Sequence, residues 1–280
     1  MISKRIFIVG CPRSGTTLLQ GLLSTHPDSV SFTESHFFDF CIKKPKDSFF
    51  YYVDRNANKH LVSFLTDNKV HNEDAKSIMD HIPQKPLIPG YGVIKWSKYF
   101  ISIFDRIAEI NSKNIWIEKT PDHLNRIDLI EKTCPDAIFV HIIRDGKDVV
   151  ASLYNASKKW KKNYTIKQCI DFWNNAIQKS SECLGKNNHT FISYTDLVKD
   201  YNLLVNNFFI ENNMNSIDDL EIKYRRGVSK IITEKEAWKS QNYKRIKHQS
   251  KFYETFNRNE QKFIMESLDV FLYKSLINRS

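Results

Sequence analysis

The sequence lacks any apolar run long enough to cross a membrane, for which a helix needs about 20 consecutive apolar residues. Lys4 and Arg5 precede an apolar stretch near the N-terminus, but that stretch stops at Gly10 and is too short for the core of a signal peptide. The sequence therefore predicts a cytoplasmic protein without a transmembrane segment.

Cysteine is sparse, and its five residues are scattered along the chain. None of them forms a CxxC pair or a cysteine–histidine cluster with the spacing of metal ligands. We therefore expect free or buried thiols in a reducing compartment. The five are Cys11, Cys41, Cys134, Cys169 and Cys183.

The chain also has no internal repeat, low-complexity stretch or flexible linker, so we expect one domain over residues 1–280. Its hydrophobic content of 41% and aromatic content of 13% are typical of a globular protein. The net charge of +10 favours anionic partners. Because the basic residues are spread out and no nucleic-acid-binding motif is present, we expect a cleft for a small polyanion and no nucleic acid.

A loop with two glycines joins a short apolar strand to a helix within residues 6–20. A strand, loop and helix in this order direct backbone N–H groups and a helix N-terminus at one point, which predicts a phosphate or sulfate site. Gly10 and Gly15 have the spacing of a Walker A loop, but Thr16 stands where that pattern requires lysine. The basic residue is instead Arg13, inside the loop.

The side chains of this loop favour an anion site over a strand–helix junction that binds nothing. They include a permanently charged guanidinium, three hydroxyls and a conformationally permissive glycine. The residues predicted to bind the anion are Pro12, Arg13, Ser14, Gly15, Thr16 and Thr17.

A second candidate anion site follows a strand predicted at residues 137–143. Arg144 stands at the carboxyl end of that strand, and Ser152 lies about two turns along the next helix. A guanidinium and a hydroxyl together can bind a second phosphate. The alternative is that Arg144 pairs with Asp145 or Asp148 at the helix start, and the presence of the first loop favours the phosphate.

Short strands rich in β-branched residues alternate with long helical segments, which predicts an α/β fold with a central, mostly parallel sheet flanked by helices. Strands are predicted at residues 5–9, 115–118, 137–143 and 190–193, and helices at 16–24, 122–132, 145–156, 166–184 and 259–276. Residues 37–110, interrupted by prolines within 83–89, are interpreted as a helical insertion between the first two sheet strands, on the substrate side. Ligands of such sheets bind at the carboxyl ends of the strands.

Together, the two motifs resemble those of sulfotransferases that use 3′-phosphoadenosine 5′-phosphosulfate (PAPS). The segment from Pro12 to Thr17 resembles the loop that binds the 5′-phosphosulfate, and the segment from Arg144 to Ser152 resembles the 3′-phosphate motif. The resemblance covers about residues 5–200. It implies a P-loop-like domain with PAPS as donor and adenosine 3′,5′-bisphosphate (PAP) as product. No metal is expected, because no carboxylate pair stands where Mg²⁺ would be needed.

The resemblance implies catalytic roles for three residues. Arg13 replaces the lysine of the cytosolic branch, as in tyrosylprotein and many bacterial members, and would stabilise charge on the leaving phosphate and the sulfuryl group. Glu34 lies in a segment that resembles the tyrosylprotein branch, which makes it the expected general base. Lys119, in a Glu-Lys-Thr-Pro sequence, would contact the transferred group.

This chain departs from the cytosolic branch at Pro121, where those members have a catalytic histidine. The departure shifts the role of base to Glu34, although Glu34 could instead pair with a nearby basic residue at the surface. His36, His123 and Asp39 are the alternative bases.

The resemblance also implies contacts with the nucleotide. Tyr194 would lie beside the adenine end of the donor. Near the C-terminus, the Arg-Arg-Gly sequence around Arg226 and the Trp-Lys pair at Trp238 are similar to a loop that covers the nucleotide, although the spacing differs. Arg226 is therefore a candidate donor contact, and Trp238 belongs either to that loop or to the core.

The expected reaction is in-line sulfuryl transfer from PAPS to a hydroxyl or amine of a saccharide, a lipid-linked glycan or a small metabolite. A P-loop nucleotide kinase would require lysine after Gly15 and an acidic strand end for Mg²⁺, and neither is evident. A nucleotide-binding protein without catalytic activity is the other alternative, favoured if Glu34 and Lys119 point away from the cleft.

Overall fold

A computed structural model describes residues 1–44, 50–83, 92–224 and 250–278. Arg226 and Trp238 therefore lie outside the described residues. The described strands are β1 (Lys4–Val9), β2 (Ser29–Ser31), β3 (Ile42–Lys43), β4 (Tyr52–Val53), β5 (Ile115–Lys119), β6 (Ala137–Ile143) and β7 (His189–Ser193). Five of these strands form a parallel sheet in the order β2-β5-β1-β6-β7, while β3 and β4 form a separate antiparallel pair.

Helices connect the strands and cover both faces of the sheet. The first nine in chain order are α1 (Thr16–Leu23), α2 (Ala57–Asp67), α3 (Asn72–Met79), α4 (Val93–Ile110), α5 (Ile127–Thr133), α6 (Gly146–Lys159), α7 (Ile166–Ser181), α8 (Tyr194–Lys199) and α9 (Tyr201–Glu211). A π-helix (Phe37–Cys41) and a 3₁₀-helix (Pro121–Arg126) lie near the sheet, and the C-terminal helices are Phe252–Thr255, Arg258–Ser267 and Val270–Ile277. Among the described residues, no helix combines the length and apolarity that a membrane span requires.

The sheet is buried on both faces because alternate side chains of each strand enter different cores. In β1, Phe7 packs edge-on to Trp116 with ring centroids 5.1 Å apart, whereas Ile6 and Ile8 belong to the opposite core. Near-continuous apolar strands are what a parallel sheet covered by helices requires. The helices that follow the strands hold the loops at the carboxyl edge of the sheet, where the predicted motifs lie.

The α/β fold and the four predicted strands are confirmed, but three strands were not predicted. Two of them, β3 and β4, form an antiparallel pair within the insertion that was predicted to be helical. The third, β2, belongs to the parallel sheet. Strand β2 contains only three residues, two of them serine, and pairs with β5 from Ser29 opposite Ile115 to Ser31 opposite Ile117. The expectation that the insertion separates the first two sheet strands was therefore wrong. The insertion follows the first β-α unit and this short strand.

Two helix predictions were also wrong in detail. The segment predicted as one helix at 122–132 is a 3₁₀-helix followed by α5. The helix predicted at 259–276 is divided at Leu268, which has an extended backbone, and restarts where the Asp269 carboxylate accepts a hydrogen bond from the Leu272 N–H. The Asp269 N–H donates to Asn174 on α7, so tertiary contact fixes the break.

Candidate active site

The loop between β1 and α1 turns through three residues with positive φ. They are Gly10 at 146°, Arg13 at 76° and Gly15 at 101°. A Cβ on Gly10 would lie 2.7 Å from the carbonyl oxygen of Ile142, so only glycine allows the loop to pass this close to β6. The Ser14 N–H donates to the carbonyl oxygen of Cys11 over 3.1 Å, which closes the turn directly before α1.

Tyr194, at the start of α8, packs its ring against Gly15. A Cβ on Gly15 would lie 2.5 Å from Tyr194 Cδ2. The guanidinium of Arg144 lies over the same ring, with Cζ 4.2 Å from the ring centroid, a distance at which a cation–π interaction forms. Residues predicted from the loop, the end of β6 and the end of β7 therefore meet at one place.

The two predicted anion motifs are in direct contact. Arg13 Nε donates a hydrogen bond to Ser152 Oγ over 3.1 Å, and Arg144 Nη1 donates to the carbonyl oxygen of Arg13 over 3.3 Å. Arg144 Nη2 also lies 3.6 Å from Asp148 Oδ2, so the alternative ion pair exists together with the contact to the loop. Burial and the charge of Arg144 lower the pKa of Arg13, while Glu34 raises it. Two guanidinium groups held this close favour a shared anionic ligand.

The backbone around Arg144 is fixed by its neighbours. The Trp173 indole donates to the carbonyl oxygen of Arg144 over 3.0 Å, and the Asp145 carboxylate caps α6 by accepting from the Lys147 N–H over 2.8 Å. An Asp N-cap is favourable because it satisfies an N–H that the helix leaves unpaired. The strand end and the helix start are thus held in one orientation.

Lys119 and Glu34 form an ion pair beside the loop. Strand β5 lies parallel to β1 with Lys119 opposite Ile8, so Lys119 emerges at the same edge of the sheet as the loop. Its Nζ donates to Glu34 Oε1, and the Lys119 side chain is only 2% exposed. The Glu34 side chain is 24% exposed, and its Oε2 lies 3.4 Å from His36 Nε2. Two of the predicted catalytic residues are therefore in contact with each other.

His36 is held in an uncommon conformation at the start of the π-helix. Its φ is 52°, its N–H donates to Thr120 Oγ1 over 3.3 Å, and its ring stacks on Phe40 at a centroid distance of 4.4 Å. His36 Nδ1 lies 3.0 Å from Asp39 Oδ2. Burial alone would lower the pKa of His36, but the bonds to Asp39 and Glu34 outweigh it and raise the pKa to about 10.

Behind this layer, Glu118 and His123 form a buried pair. Both are inaccessible to solvent, and His123 Nδ1 donates to Glu118 Oε2 over 3.0 Å. Glu118 Oε1 accepts from Thr120 Oγ1 over 2.6 Å and from Ser35 Oγ over 2.8 Å. Burial opposes ionisation of Glu118, but the charge of His123 and these hydrogen bonds lower the pKa of Glu118 overall.

The second nitrogen of His123 faces two possible partners. Nε2 lies 3.5 Å from Asp39 Oδ1 and 3.3 Å from the backbone nitrogen of Phe38. Burial lowers the pKa of His123, but Glu118 and Asp39 raise it to about 9, which favours a protonated ring between these two carboxylates. His123 therefore holds the site together from behind instead of facing the cleft.

Sequence reasoning did not single out Glu118 or Asp122 as parts of this cluster. A signal was present for Glu118, because a carboxylate within a buried strand must have partners. Asp122 lies at the exposed side of the site, and enclosure by the cluster together with the negative charge of Asp39 raises its pKa.

Two groups of described residues bring donor atoms of three side chains within 4.8 Å of one another. In each group a hydrogen bond already joins two of the atoms: His36 Nδ1 to Asp39 Oδ2 in this site, and His141 Nε2 to His189 Nδ1, 2.8 Å apart, in the core. The groups are His36, Asp39 and Asp122, and His141, Cys183 and His189.

Comparison with known proteins identifies similar chains. Residues 5–207 match the model of the Sulfotransferase family. Protein-tyrosine sulfotransferase A of Caenorhabditis elegans is 25% identical over 202 residues, which is 70% of this chain and 46% of that protein. The chain thus spans about half the length of that curated relative.

Solved structures share the fold. The sulfotransferase domain of the Synechococcus PCC 7002 olefin synthase has a TM-score of 0.64 at 16% identity, with 95% of this chain and 94% of that chain covered. A mouse sulfotransferase complexed with PAP has a TM-score of 0.51 at 12% identity, with 100% and 86% covered.

Proposed function

Because this chain belongs to the sulfotransferase family, we propose that it transfers a sulfuryl group from PAPS to a hydroxyl or amine of an acceptor. The observation that carries the proposal is the contact of Arg13 with Ser152 and Arg144. PAPS has phosphate groups on both sides of one nucleoside, so it requires two neighbouring anion sites. A mononucleotide such as ATP carries all its phosphates in one chain and would use the loop alone.

The donor would lie across the carboxyl edge of the sheet. The loop from Pro12 to Thr17 would bind the 5′-phosphosulfate through its N–H groups and hydroxyls, and Arg144 with Ser152 would bind the 3′-phosphate. Tyr194 would pack against the nucleoside. Arg226, outside the described residues, stays a candidate contact.

The transfer itself is expected to proceed in line. Glu34 would take the proton from the acceptor, whose oxygen or nitrogen then forms a bond to sulfur while the bond from sulfur to the 5′-phosphate oxygen breaks. The electron pair goes to that phosphate, where Arg13 and Lys119 would neutralise the developing charge. The enzyme thus contributes mainly positioning and electrostatics.

The acceptor is proposed to be a saccharide, a lipid-linked glycan or a small metabolite. Part of the aromatic content of the insertion belongs to the core, since Phe37 and Phe38 are fully buried, while Phe40 is 41% exposed beside His36. An exposed aromatic ring stacked on His36, which contacts the proposed base, supports a pocket in which a sugar ring or another flat group stacks.

Calorimetric titration with PAP, in parallel with ATP and Mg²⁺, tests the donor. We expect metal-independent binding of PAP that is preferred over ATP. Arg144→Ala should weaken PAP binding at least about tenfold, because a charge-assisted hydrogen bond contributes about 1.5–3 kcal/mol. The matched control is Arg106→Ala on the exposed side of α4, where the guanidinium makes long ion pairs of 3.8 and 3.9 Å to Asp74 and Glu109.

Preference for ATP with Mg²⁺ would contradict the proposal and favour a kinase. Equal weakening by Arg144→Ala and Arg106→Ala would mean that PAP binds by general charge and not at the predicted site.

A further inference from the structure

The environment of Glu34 assigns a role to His36 that the reaction outlined above does not use. We propose that His36, held by Asp39, is a positioning residue: as an imidazolium it keeps Glu34 ionised and aimed at the acceptor once Lys119 turns to the donor. The inference rests on the proposed function, because it takes Glu34 as the base and Lys119 as a contact of the transferred group.

The geometry restrains the His36 ring from three directions. Asp39 Oδ2 lies 3.0 Å from Nδ1, the Phe40 ring stacks at an interplanar angle of 11°, and the backbone N–H is bound to Thr120 Oγ1. These restraints leave Nε2 directed at Glu34 Oε2, 3.4 Å away. Because both ring nitrogens face carboxylates, each acts as a donor, and the ring is most stable with both protons. The raised pKa of about 10 agrees with this geometry.

Lys119 would divide its positive charge between Glu34 and the donor. In this structure its Nζ is bound to Glu34 Oε1. If the same ammonium group also contacts the sulfuryl oxygens during transfer, its contact with Glu34 weakens, and a carboxylate with less cationic support is protonated more readily. A protonated Glu34 cannot accept the proton of the acceptor. His36 retains its contact on the other oxygen and maintains the ionised form.

Other charged groups face Glu34 from the surrounding elements and also influence its ionisation. Arg13 from the loop interacts favourably with Glu34, whereas Asp122 from the 3₁₀-helix and Asp39 from the π-helix are negative. Glu118 and His123 form their own pair behind this layer. His36 is instead a cation whose position is fixed by Asp39, a residue of the π-helix that His36 precedes.

The proton balance of the step is simple. The acceptor transfers its proton to Glu34 as the bond to sulfur forms, and Glu34 becomes a neutral carboxylic acid. After the sulfated product leaves, this acid releases the proton to water. His36 keeps both ring protons throughout, so it favours the ionised form of Glu34 without becoming the base.

Two amide substitutions separate the two contacts of His36. The amide nitrogen of Asn occupies about the position of Nδ1, so His36→Asn retains a donor for Asp39 and loses the contact with Glu34. The amide nitrogen of Gln occupies about the position of Nε2, so His36→Gln retains a donor for Glu34. The control is His60→Asn, since His60 lies 5.3 Å from the Phe40 ring and carries the same chemistry next to the site.

The first measurement is the pH dependence of PAPS hydrolysis, with water as the acceptor. We expect His36→Asn to shift the acid limb of the profile upward by about one pH unit. We also expect a lower rate on the plateau of the profile, because Glu34 is no longer aimed at the acceptor. His36→Gln should recover part of the rate, and His60→Asn should match the wild type. PAP affinity measured by calorimetry should be unchanged in all three variants.

An acid limb that stays in place in His36→Asn, with PAP binding intact, would overturn the role of His36 and leave the proposed function standing. If the wild type does not bind PAP, the proposed function itself is overturned. A second readout is independent of turnover: ¹⁵N NMR of the His36 ring in the PAP complex. A doubly protonated ring at pH 8 supports the proposal, and a neutral ring at pH 7 overturns it.

Discussion

At the scale of single residues, the carboxylate of Glu118 is held by several hydrogen bonds at once. It lies in a fully buried strand and accepts hydrogen bonds from Ser35, Thr120 and His123. A buried charge is tolerated only when its hydrogen-bonding capacity is satisfied. These donors come from two segments, the one that precedes the π-helix and the one that follows β5. Glu118 therefore connects the stability of the fold with the geometry of the site.

Glu118→Gln should destabilise the protein strongly. The amide cannot balance the imidazolium of His123, so one partner of a buried pair is left uncompensated, at a cost of about 3 kcal/mol. Urea unfolding monitored by circular dichroism measures this loss. Glu109→Gln, on the surface of α4, is the matched control and should change the free energy of unfolding by less than about 0.5 kcal/mol. Similar values for the two variants would contradict the importance of the buried pair.

Much of the site was predictable at this scale, and the reason for the remainder is physical. Arg13 and Arg144 follow the ends of β1 and β6, and parallel strands deliver their carboxyl ends to one edge of the sheet. Ser152 lies on α6, the helix that follows β6. The contacts of His36 with Asp39 and of His123 with Glu118 were not predictable. They depend on a π-helix and a 3₁₀-helix whose mutual packing is not encoded in any local pattern.

At the scale of elements, the junction of the loop with α1 depends on Gly15. Its φ of 101° is in the left-handed region, and the Tyr194 ring occupies the space that a side chain would need. The two constraints can be separated, because Gly185 has a φ of 84° with nothing within 4 Å of an added Cβ.

Gly15→Ala should therefore be more harmful than Gly185→Ala. Backbone strain alone costs about 1 kcal/mol at either position, whereas the clash with Tyr194 adds about 1–3 kcal/mol at Gly15 only. We also expect Gly15→Ala to weaken PAP binding more than tenfold, because the ring must move within the donor site. Thermal unfolding and calorimetry of both variants test this. Equal losses of stability in Gly15→Ala and Gly185→Ala would show that the Tyr194 ring moves aside at no cost.

The elements show where local patterns are reliable. The apolar runs of β1 and β6 predicted their strands, because a strand buried on both faces requires continuous hydrophobic residues. Strand β2 escaped prediction because three residues, two of them serine, carry no such pattern. The break at Leu268 escaped because the sequence continues to favour a helix, and only the contact between Asp269 and Asn174 shows why the helix restarts.

At the scale of the whole molecule, the histidines His36 and His123 limit stability in one pH range, and His141 limits it in the opposite one. The pKa values of His36 and His123 are raised to about 10 and about 9, so their contribution is complete below the unfolded value of about 6.5 and disappears as the pH rises through 9 to 10. Burial, together with the charges of His189 and Lys186, lowers the pKa of His141 well below 6.5, so its unfolded form binds a proton first, and stability decreases as the pH falls below about 6.5.

The free energy of unfolding should therefore be greatest near pH 6.5 and decrease on both sides. Urea unfolding at intervals from pH 5 to pH 10 measures the curve. His36→Asn should flatten the alkaline side and leave the acid side unchanged, whereas His60→Asn should leave both unchanged. An alkaline side that keeps its slope in His36→Asn would show that His36 is not an imidazolium in the folded state.

The position of β1 has a consequence for folding during synthesis. This strand precedes both of its partners in the chain, yet it lies in the middle of the sheet, where Arg5 is opposite both Trp116 and Ala137. At about 5–20 residues per second, a ribosome needs about 5 to 25 seconds to reach the end of β6. During that interval an apolar strand has two unpaired edges, which are open to pairing with other chains until residue 143 has emerged.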